Sequence, residues 1–512
     1  MRARSERIFL KLGCPVKCSI RKIAQILGFS KSAVHRHKNA IERRNLFPES
    51  YFWETKEGGA FLCRLFIAVL FLFGIKNGIG AGTISEFFKL LRIDKHVGSS
   101  PTTIKNYSNK IQEMLEEYQK SQQAKQVSAQ SLKIVGGADE TFFDKMLIVF
   151  MDLASGYIFV EDIAEDRCYE TWKDKVQNIV DKFGVKIKYI VSDRAKPLIK
   201  LAETGFGCLS IPDLFHASYE IVKVFGINLG RKKNAIEKKI QKTTAALALL
   251  RELGKDVTQQ ENIVSQLKNE QVIIDSGTSK YQQILHTLSK SVHPFDINNS
   301  NRQSSVCVKL LLNQLVEEIR GLQKEQEIND PKKRIEKFCK QIEGIASIID
   351  AWWLWAEESL DSEKLTEEIQ QWLLTCLLPA VYWQKQTERT KNPDLKESYL
   401  YAFEKAELEL EQHPLTASLI HEKEWLSWAE WMVSNFQRTS SAVEGRNGWL
   451  SQIHHNGRGL TLKRLRALTI IHNYYLKRSD GTTAAERLFG SKFDDPFEWL
   501  VEHLTELPLA RT

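Results

Sequence analysis

At Leu132 the spacing of apolar residues changes from the three-to-four-residue period of helices to short unbroken runs. LKIVGGADETFF, KMLIVFMDLASG and YIFVEDIAED are apolar, β-branched stretches separated by turn residues, the pattern of three consecutive antiparallel strands. Cys168 to Phe183 then puts Trp172, Val176, Ile179 and Val180 on one helical face, and Gly184 ends that helix. Val185 to Ser192 reads as a strand, Lys196 to Ala202 as a helix, Cys208 to Ile211 as a strand and Ala217 to Phe225 as a helix. The order βββαβαβα calls for one mixed sheet, since parallel neighbours need crossover connections and these are helices.

The sheet occupies only part of the chain. At 512 residues the protein is too long for one ordinary core, and about 150 residues per domain suggests three or four units. Beyond Gly230 strand signals nearly stop: Lys232 to Gln271, Lys309 to Glu327, Lys333 to Leu374 and Leu395 to Glu411 are helical, with Glu and Lys at i, i+4 spacing. This predicts an all-α insertion over residues 231–435, within which Trp352, Trp353 and Trp355 read as core. The sheet then falls into 131–230 and 436–512. Ahead of it, CSIRKIAQILGFSKSAVHRHKNAIE predicts a helix-turn-helix within residues 1–60. Ile20, Ile23, Ile26 and Leu27 lie on one face, Gly28 turns the chain, Ser30 caps, and Val34 and Ile41 point inward. A weaker second copy, with Ser100 capping and Pro101 at the first helical position, marks 61–130 as a further helical DNA-binding unit and linker. The expected fold class is therefore an α/β multidomain chain.

The net charge of +8 is clustered: Met1 to Asn45 holds 12 Lys/Arg against 2 Glu. Arg36 and Lys38 on the second helix are placed to enter a major groove. No Asp or Glu occurs between Glu444 and Asp480, while Arg446, His454, His455, Arg458, Lys463, Arg464 and Arg466 fall there, which predicts a cationic DNA-contact surface. Eight scattered cysteines fit a reducing cytoplasm, and no export signal is visible. The apolar run Phe61 to Ile75, interrupted by Arg64, reads as a buried helix, so no membrane is expected.

Strand order and acids together point to chemistry. The order is that of a ribonuclease-H-like core, in which the fourth strand neighbours the first. Asp139 lies in the first strand after two glycines, and Asp193 follows the fourth, 54 positions later (193 − 139). One strand-end acid commonly caps a turn, but two at adjacent tips form half of a cage for divalent cations, which take carboxylate oxygens. Glu444, on a helix 251 positions beyond Asp193 (444 − 193), supplies the third. Asp152 reads instead as a turn acid before Ser155-Gly156, and Glu140 as facing away from Asp139.

GADETFF, MDLASGYI, YIVSDRAKPLIKLA, IPDLFHASYEIVK, SSAVEGRNGWL and HNYYLKRSDGTTAAERLFG resemble prokaryotic insertion-sequence transposases with a DDE catalytic core. The long insertion is similar to that of hAT and Mutator-like transposases. The resemblance covers Leu132 to Val224 and Arg438 to Gly490. It implies DDE roles for Asp139, Asp193 and Glu444 with two Mg²⁺ or Mn²⁺ ions, and places Asp213 and His216 in an Asp-x2-His signature that supports the site. The partners it implies are transposon-end DNA with terminal inverted repeats, and target DNA, bound by a homodimer or larger oligomer in a bacterial cytoplasm. The insertion is expected to serve assembly and DNA positioning without giving a metal ligand. Two other readings remain: a nuclease of the same fold that only cuts, and a non-catalytic DNA-binding regulator descended from a transposase.

Overall fold

The computed structural model of the protein describes residues 8, 10–12, 18–44, 52–53, 55–125, 132–361, 363, 365–455, 459–504, 506–508 and 510. Most of these residues are helical, around one mixed sheet of five strands. The strands are β1 (Lys133–Phe142), β2 (Met146–Asp152), β3 (Ile158–Ala164), β4 (Lys186–Ser192) and β5 (Leu209–Pro212). They lie in the order β3-β2-β1-β4-β5, with β2 antiparallel to β1 and β3, and β4 parallel to β1 and β5. Alternation of side chains across a strand divides the residues between two faces. Ile134, Ala138, Ile148, Phe150 and Ile190 pack with Trp172 and Val176, while Val135, Leu147, Val149, Tyr189 and Val191 face the helices of the insertion.

The N-terminal helices are α1 (Ile20–Leu27) and α2 (Lys31–Arg44). Gly28 has φ 67°, a left-handed conformation that closes the turn between them, and Ser30 Oγ accepts from Ala33 N at 3.2 Å. Ile23, Ala24, Val34 and Ile41 form the small shared core. Ile26, expected on the inward face, is 51% exposed. At 3.6 residues per turn it stands about 60° round the helix from Ile23, beyond the stripe that one short partner helix covers.

Next come α3 (Lys56–Ala68), running on as a π-helix over Val69–Lys76, then α4 (Ala81–Leu90) and α5 (Pro101–Ala124). Ser100 caps α5, accepting from Thr103 N at 3.2 Å, with Pro101 in the first turn. The helix Lys56–Lys76 is long and apolar enough to cross a membrane, yet Leu62, Phe66, Leu70, Phe71 and Ile75 are buried in a protein core. That core does not belong to residues 61–130 alone. It is shared with the C-terminal helices α18 (Leu462–Tyr474), α19 (Ala484–Phe489) and α20 (Pro496–His503), through Ile470, Ile471, Tyr474, Ala484 and Leu500. The Arg64–Glu498 ion pair and the Gln122 amide on Asp494 reinforce the contact. The apolar face of the helices expected to form a second unit over 61–130 is thus covered by helices from 462–503.

After β3, α6 (Tyr169–Phe183) and α7 (Lys196–Lys200) flank β4. The expected boundary at 230/231 falls inside one helix of 39 residues, α8 (Leu214–Glu252), which passes from sheet to insertion unbroken. Gly254, at φ 65°, turns the chain into α9 (Thr258–Ser291). The insertion continues with α10 (Ser305–Glu325), α11 (Arg334–Cys339), α12 (Ile342–Asp361), α13 (Glu367–Trp372), α14 (Leu378–Arg389), α15 (Pro393–Gln412) and α16 (Lys423–Ser434). Trp352, Trp353 and Trp355 are fully buried, with the indole N–H of Trp352 donating to Met432 O and that of Trp353 to Pro294 O. Their core is continuous with one face of the sheet.

The chain returns to the sheet through α17 (Ser441–Ile453), which carries Glu444. Arg446 on this helix is buried and forks onto Glu161 of β3: Nε donates to Oε1 at 2.7 Å and Nη2 to Oε2 at 2.5 Å. Thr469 Oγ1 of α18 donates to the same Oε2 at 2.6 Å. One carboxylate thus ties β3, α17 and α18 together. Removing one partner leaves the other charge buried and unpaired, so Arg446→Met should lower unfolding free energy by about 3–5 kcal/mol. The double variant Glu161→Leu with Arg446→Met should recover much of that loss in urea denaturation. A loss under ~1 kcal/mol for the single variant would show that the fork carries no such weight.

Candidate active site

β1 outlasts β4. Their last paired residues are Gly137 and Val191, and two positions further along each chain stand Asp139 and Asp193. Asp139 is therefore inside a strand that still pairs with β2 but has lost its other neighbour. Asp193 leaves the sheet in a tight turn: Arg194 adopts φ 62°, uncommon for a side-chain-bearing residue, and its N–H donates to Ser192 Oγ at 3.1 Å. Asp193 Oδ1 accepts from Ala195 N at 2.9 Å, which opens α7, and its side chain remains exposed.

The two glycines ahead of Asp139 have separate uses. A Cβ on Gly136 would come within 2.8 Å of the Phe150 ring on one face. On the other, a Cβ on Gly137 would lie 2.4 Å from Leu153 Cδ2 and 2.9 Å from Val443 Cγ2. Gly137 thus lets α17 lie directly on β1, two residues from Asp139. Asn447, one turn after Glu444 and on the same side of the helix, donates from Nδ2 to Asp139 Oδ2 at 2.8 Å. Glu444 Oε1 stands 2.7 Å from His216 Nε2.

The entry of α17 is fixed by Asp213. Its Oδ1 accepts from Phe215 N at 2.6 Å and His216 N at 3.1 Å, capping α8, and its Oδ2 accepts from Ser440 N at 2.6 Å and from Ser440 Oγ. The segment before Ser440 is held by both neighbours. Tyr189 of β4 donates its hydroxyl to Asn435 O at 2.6 Å, and the Arg438 guanidinium donates to Ser289 O and Val292 O at 3.1 and 2.6 Å.

Oxygen atoms of Asp213 and Glu444 and a His216 nitrogen all lie within 4.8 Å of one another, close enough to hold a metal ion. Asp213 is a poor ligand nonetheless: four hydrogen bonds occupy both its oxygens and it is buried. Asp139 takes the Asn447 amide one turn from Glu444 and feels the charge of Asp193, but among the described residues only Asp213, His216 and Glu444 bring ligand atoms within 4.8 Å of one another. Burial, and then the charge of Asp193, push the Asp139 carboxyl up to about 6, against a hydrogen bond from the Glu140 backbone, the Asn447 amide and the His216 charge. Asn447 Oδ1 is buried without a hydrogen-bond partner, and Glu444 Oε1 has His216 Nε2 beside it at 2.7 Å. Carboxylate oxygens are the ligands that a hard divalent ion takes.

Of the competing acids, Glu140 has its carboxyl raised by burial and still feels the charge of Asp193. Asp152 is buried in its turn, accepting from Ser155 N at 2.8 Å, Ser155 Oγ at 2.5 Å and Val135 N at 3.2 Å. Glu140 pairs with Arg167 at 3.3 Å.

The expected cationic surface after Glu444 is largely corrected. Arg446 is the buried partner of Glu161, and Arg464 is buried, donating to Gly459 O and Ile75 O. Lys463 pairs with Glu113 at 2.5 Å, Arg466 is exposed, and Arg458 lies outside the described residues. A stretch without acids in sequence meets acids in space, here from β3 and α5. On the N-terminal helix Arg36 is exposed and Lys38 is half-buried beside Glu42 at 3.4 Å.

Sequence reasoning missed Asn447 and the use of Gly137. The spacing Glu444-x-x-Asn447 carried the signal for the first, since i and i+3 share a helix face. Residues 373–512 match a family described as "Family of unknown function (DUF6399)", a span that takes in Glu444 and the C-terminal helices but neither Asp139 nor Asp193. No curated protein matches the chain.

The raised Asp139 carboxyl has a measurable sign. A raised group stabilises the fold fully below its unfolded value, and that stability is lost as pH rises through about 6. In EDTA, Asp139→Asn should therefore melt higher than wild type at about pH 7.5, with the gap closing towards about pH 4. A variant that melts lower at neutral pH would mean that the carboxylate is satisfied without a cation.

Proposed function

We propose that the protein is a DNA transposase of the DDE type, with the five-stranded sheet as a ribonuclease-H-like core. The observation that supports this reading is the setting of Asp139, which takes the Asn447 amide from the helix that carries Glu444 and feels the charge of Asp193 beyond the end of β4. The strand order, the helical insertion ahead of Glu444 and the N-terminal helix-turn-helix also support it.

In this reading the three carboxylates hold two Mg²⁺ or Mn²⁺ ions, which when bound would activate the attacking oxygen and stabilise the leaving oxygen of a phosphodiester. The protein's own part is placement. Asn447 fixes the rotamer of Asp139, His216 holds Glu444, and Asp213 sets where α17 begins. The reaction is hydrolysis at a transposon end, then in-line attack of the freed 3′-hydroxyl on target DNA, with no covalent link to protein. Transposon ends would be read by the helix-turn-helix through Arg36 and Lys38, with Arg466 left as a described exposed cation beyond Glu444. Two ends joined at once imply a dimer or larger assembly.

Asp139→Asn, Asp193→Asn and Glu444→Gln should each reduce Mg²⁺-dependent cleavage of end DNA by at least ~10³-fold while retaining DNA binding. Cleavage by any one of them near the wild-type rate would take that residue out of the site. Cleavage without strand transfer by the wild type, on DNA carrying both inverted repeats, would favour the nuclease that only cuts.

A further inference from the structure

Helix α8 leaves the candidate site with His216 in its first turn and runs without a break to Glu252. Between Arg231 and Lys242 it carries Arg231, Lys232, Lys233, Lys238, Lys239 and Lys242 against a single acid, Glu237. Two of these cations are engaged: Lys232 donates to Gln326 O, and Lys233 pairs with Asp275 at 2.9 Å. Arg231, Lys238, Lys239 and Lys242 are exposed, and none of them enters an ion pair among the described residues. Elsewhere in the insertion some surface cations are matched with acids, Lys280 with Glu325, Arg302 with Glu357, Lys309 with Glu343, and Arg320 with Glu317 and Glu336, while Lys332, Lys333, Lys337 and Lys340 are exposed without an ion pair among the described residues. What sets the four cations of α8 apart is that they share one unbroken helix leading from the candidate site, a row of charge that suits a polyanion.

Their spacing suits a nucleic-acid backbone. Arg231, Lys238 and Lys242 fall at i, i+7 and i+11, on one side of the helix over about 16 Å, with Lys239 beside them. At 1.5 Å per residue, Arg231 stands about 22 Å along the helix from His216 and Lys242 about 39 Å. At 3.4 Å per nucleotide along a strand, that is about 7 to 11 base pairs from the site.

We propose that this face of α8 is a track for the phosphate backbone of duplex DNA, holding the flank about one helical turn from the scissile phosphate. The assignment rests on the transposase reading and moves the main backbone contact of the core from the segment after Glu444 to the first helix of the insertion.

The test uses the full chain and a 40-base-pair duplex of random sequence. Changing Arg231, Lys238, Lys239 and Lys242 together to Gln should leave the melting temperature unchanged, because the four are exposed. Each phosphate contact contributes about 0.9 to the slope of log K against log salt, so that slope should fall by about 2 to 4, and affinity should drop at least ~10-fold near 0.15 M salt. A control variant with Lys280, Arg302, Lys309 and Arg320 changed to Gln removes the same charge and should keep the wild-type slope. An unchanged slope in the α8 variant, while wild type binds, overturns the track and leaves an acidic protein surface as its occupant. Equal losses in both variants overturn it as an effect of net charge alone. Wild type without salt-dependent DNA binding overturns the track together with the transposase reading.

Discussion

Asp213 closes the loop that carries the helical insertion. The chain leaves the sheet at this residue and comes back to it 227 positions later at Ser440, and one buried carboxylate takes hydrogen bonds from both ends. The loop entropy of such a closure grows only with the logarithm of its length, so the cost of the insertion is modest. What the closure demands is accuracy. Glu444 follows Ser440 by one helical turn, and its distance from Asp139 depends on where that turn begins. A charged acceptor with all four lone-pair sites filled is a stiff device for setting such a position.

The structure is also less divisible than its helix and strand patterns suggest. Hydrophobic contacts run from Val135 and Val149 of the sheet through Ile221 and Phe225 of α8 to Trp352 and Tyr382 of the insertion. Helix α8 belongs to both parts at once. An insertion built this way acts on the carboxylates through packing as well as through connectivity. Displacing it would uncover one whole face of the sheet, an apolar surface that water would not tolerate.

Much of this architecture was legible because it rests on local pattern. Strand runs, the glycines at 28 and 184, and the Ser100-Pro101 start of α5 express backbone preferences that act within a few residues. Asp139 stood out as a candidate because a carboxylate amid apolar residues requires a reason. What was hidden depends on distant partners. Arg446 and Lys463 look like free cations until Glu161 and Glu113 are brought to them by the fold. Likewise nothing near Leu62 or Phe66 indicates that Leu500 will cover them. Gly137 was seen as a glycine, but its reason, the methyl of Val443 against the strand, is a contact across 306 positions (443 − 137).

The shared core of α3 to α5 with α18 to α20 sets a timetable for the growing polypeptide. Residues 56–124 leave the ribosome early, yet the surface that buries Phe66, Leu70 and Ile111 is not made until Leu500 and Leu504 have been added. At about 5–20 residues per second, those side chains wait some 20 to 80 seconds for their neighbours. The sheet waits nearly as long for α17. During that interval the nascent chain exposes an apolar helical hairpin and an unfinished sheet, the surfaces that chaperones bind. Each molecule therefore completes this core only once Leu500 and Leu504 are joined.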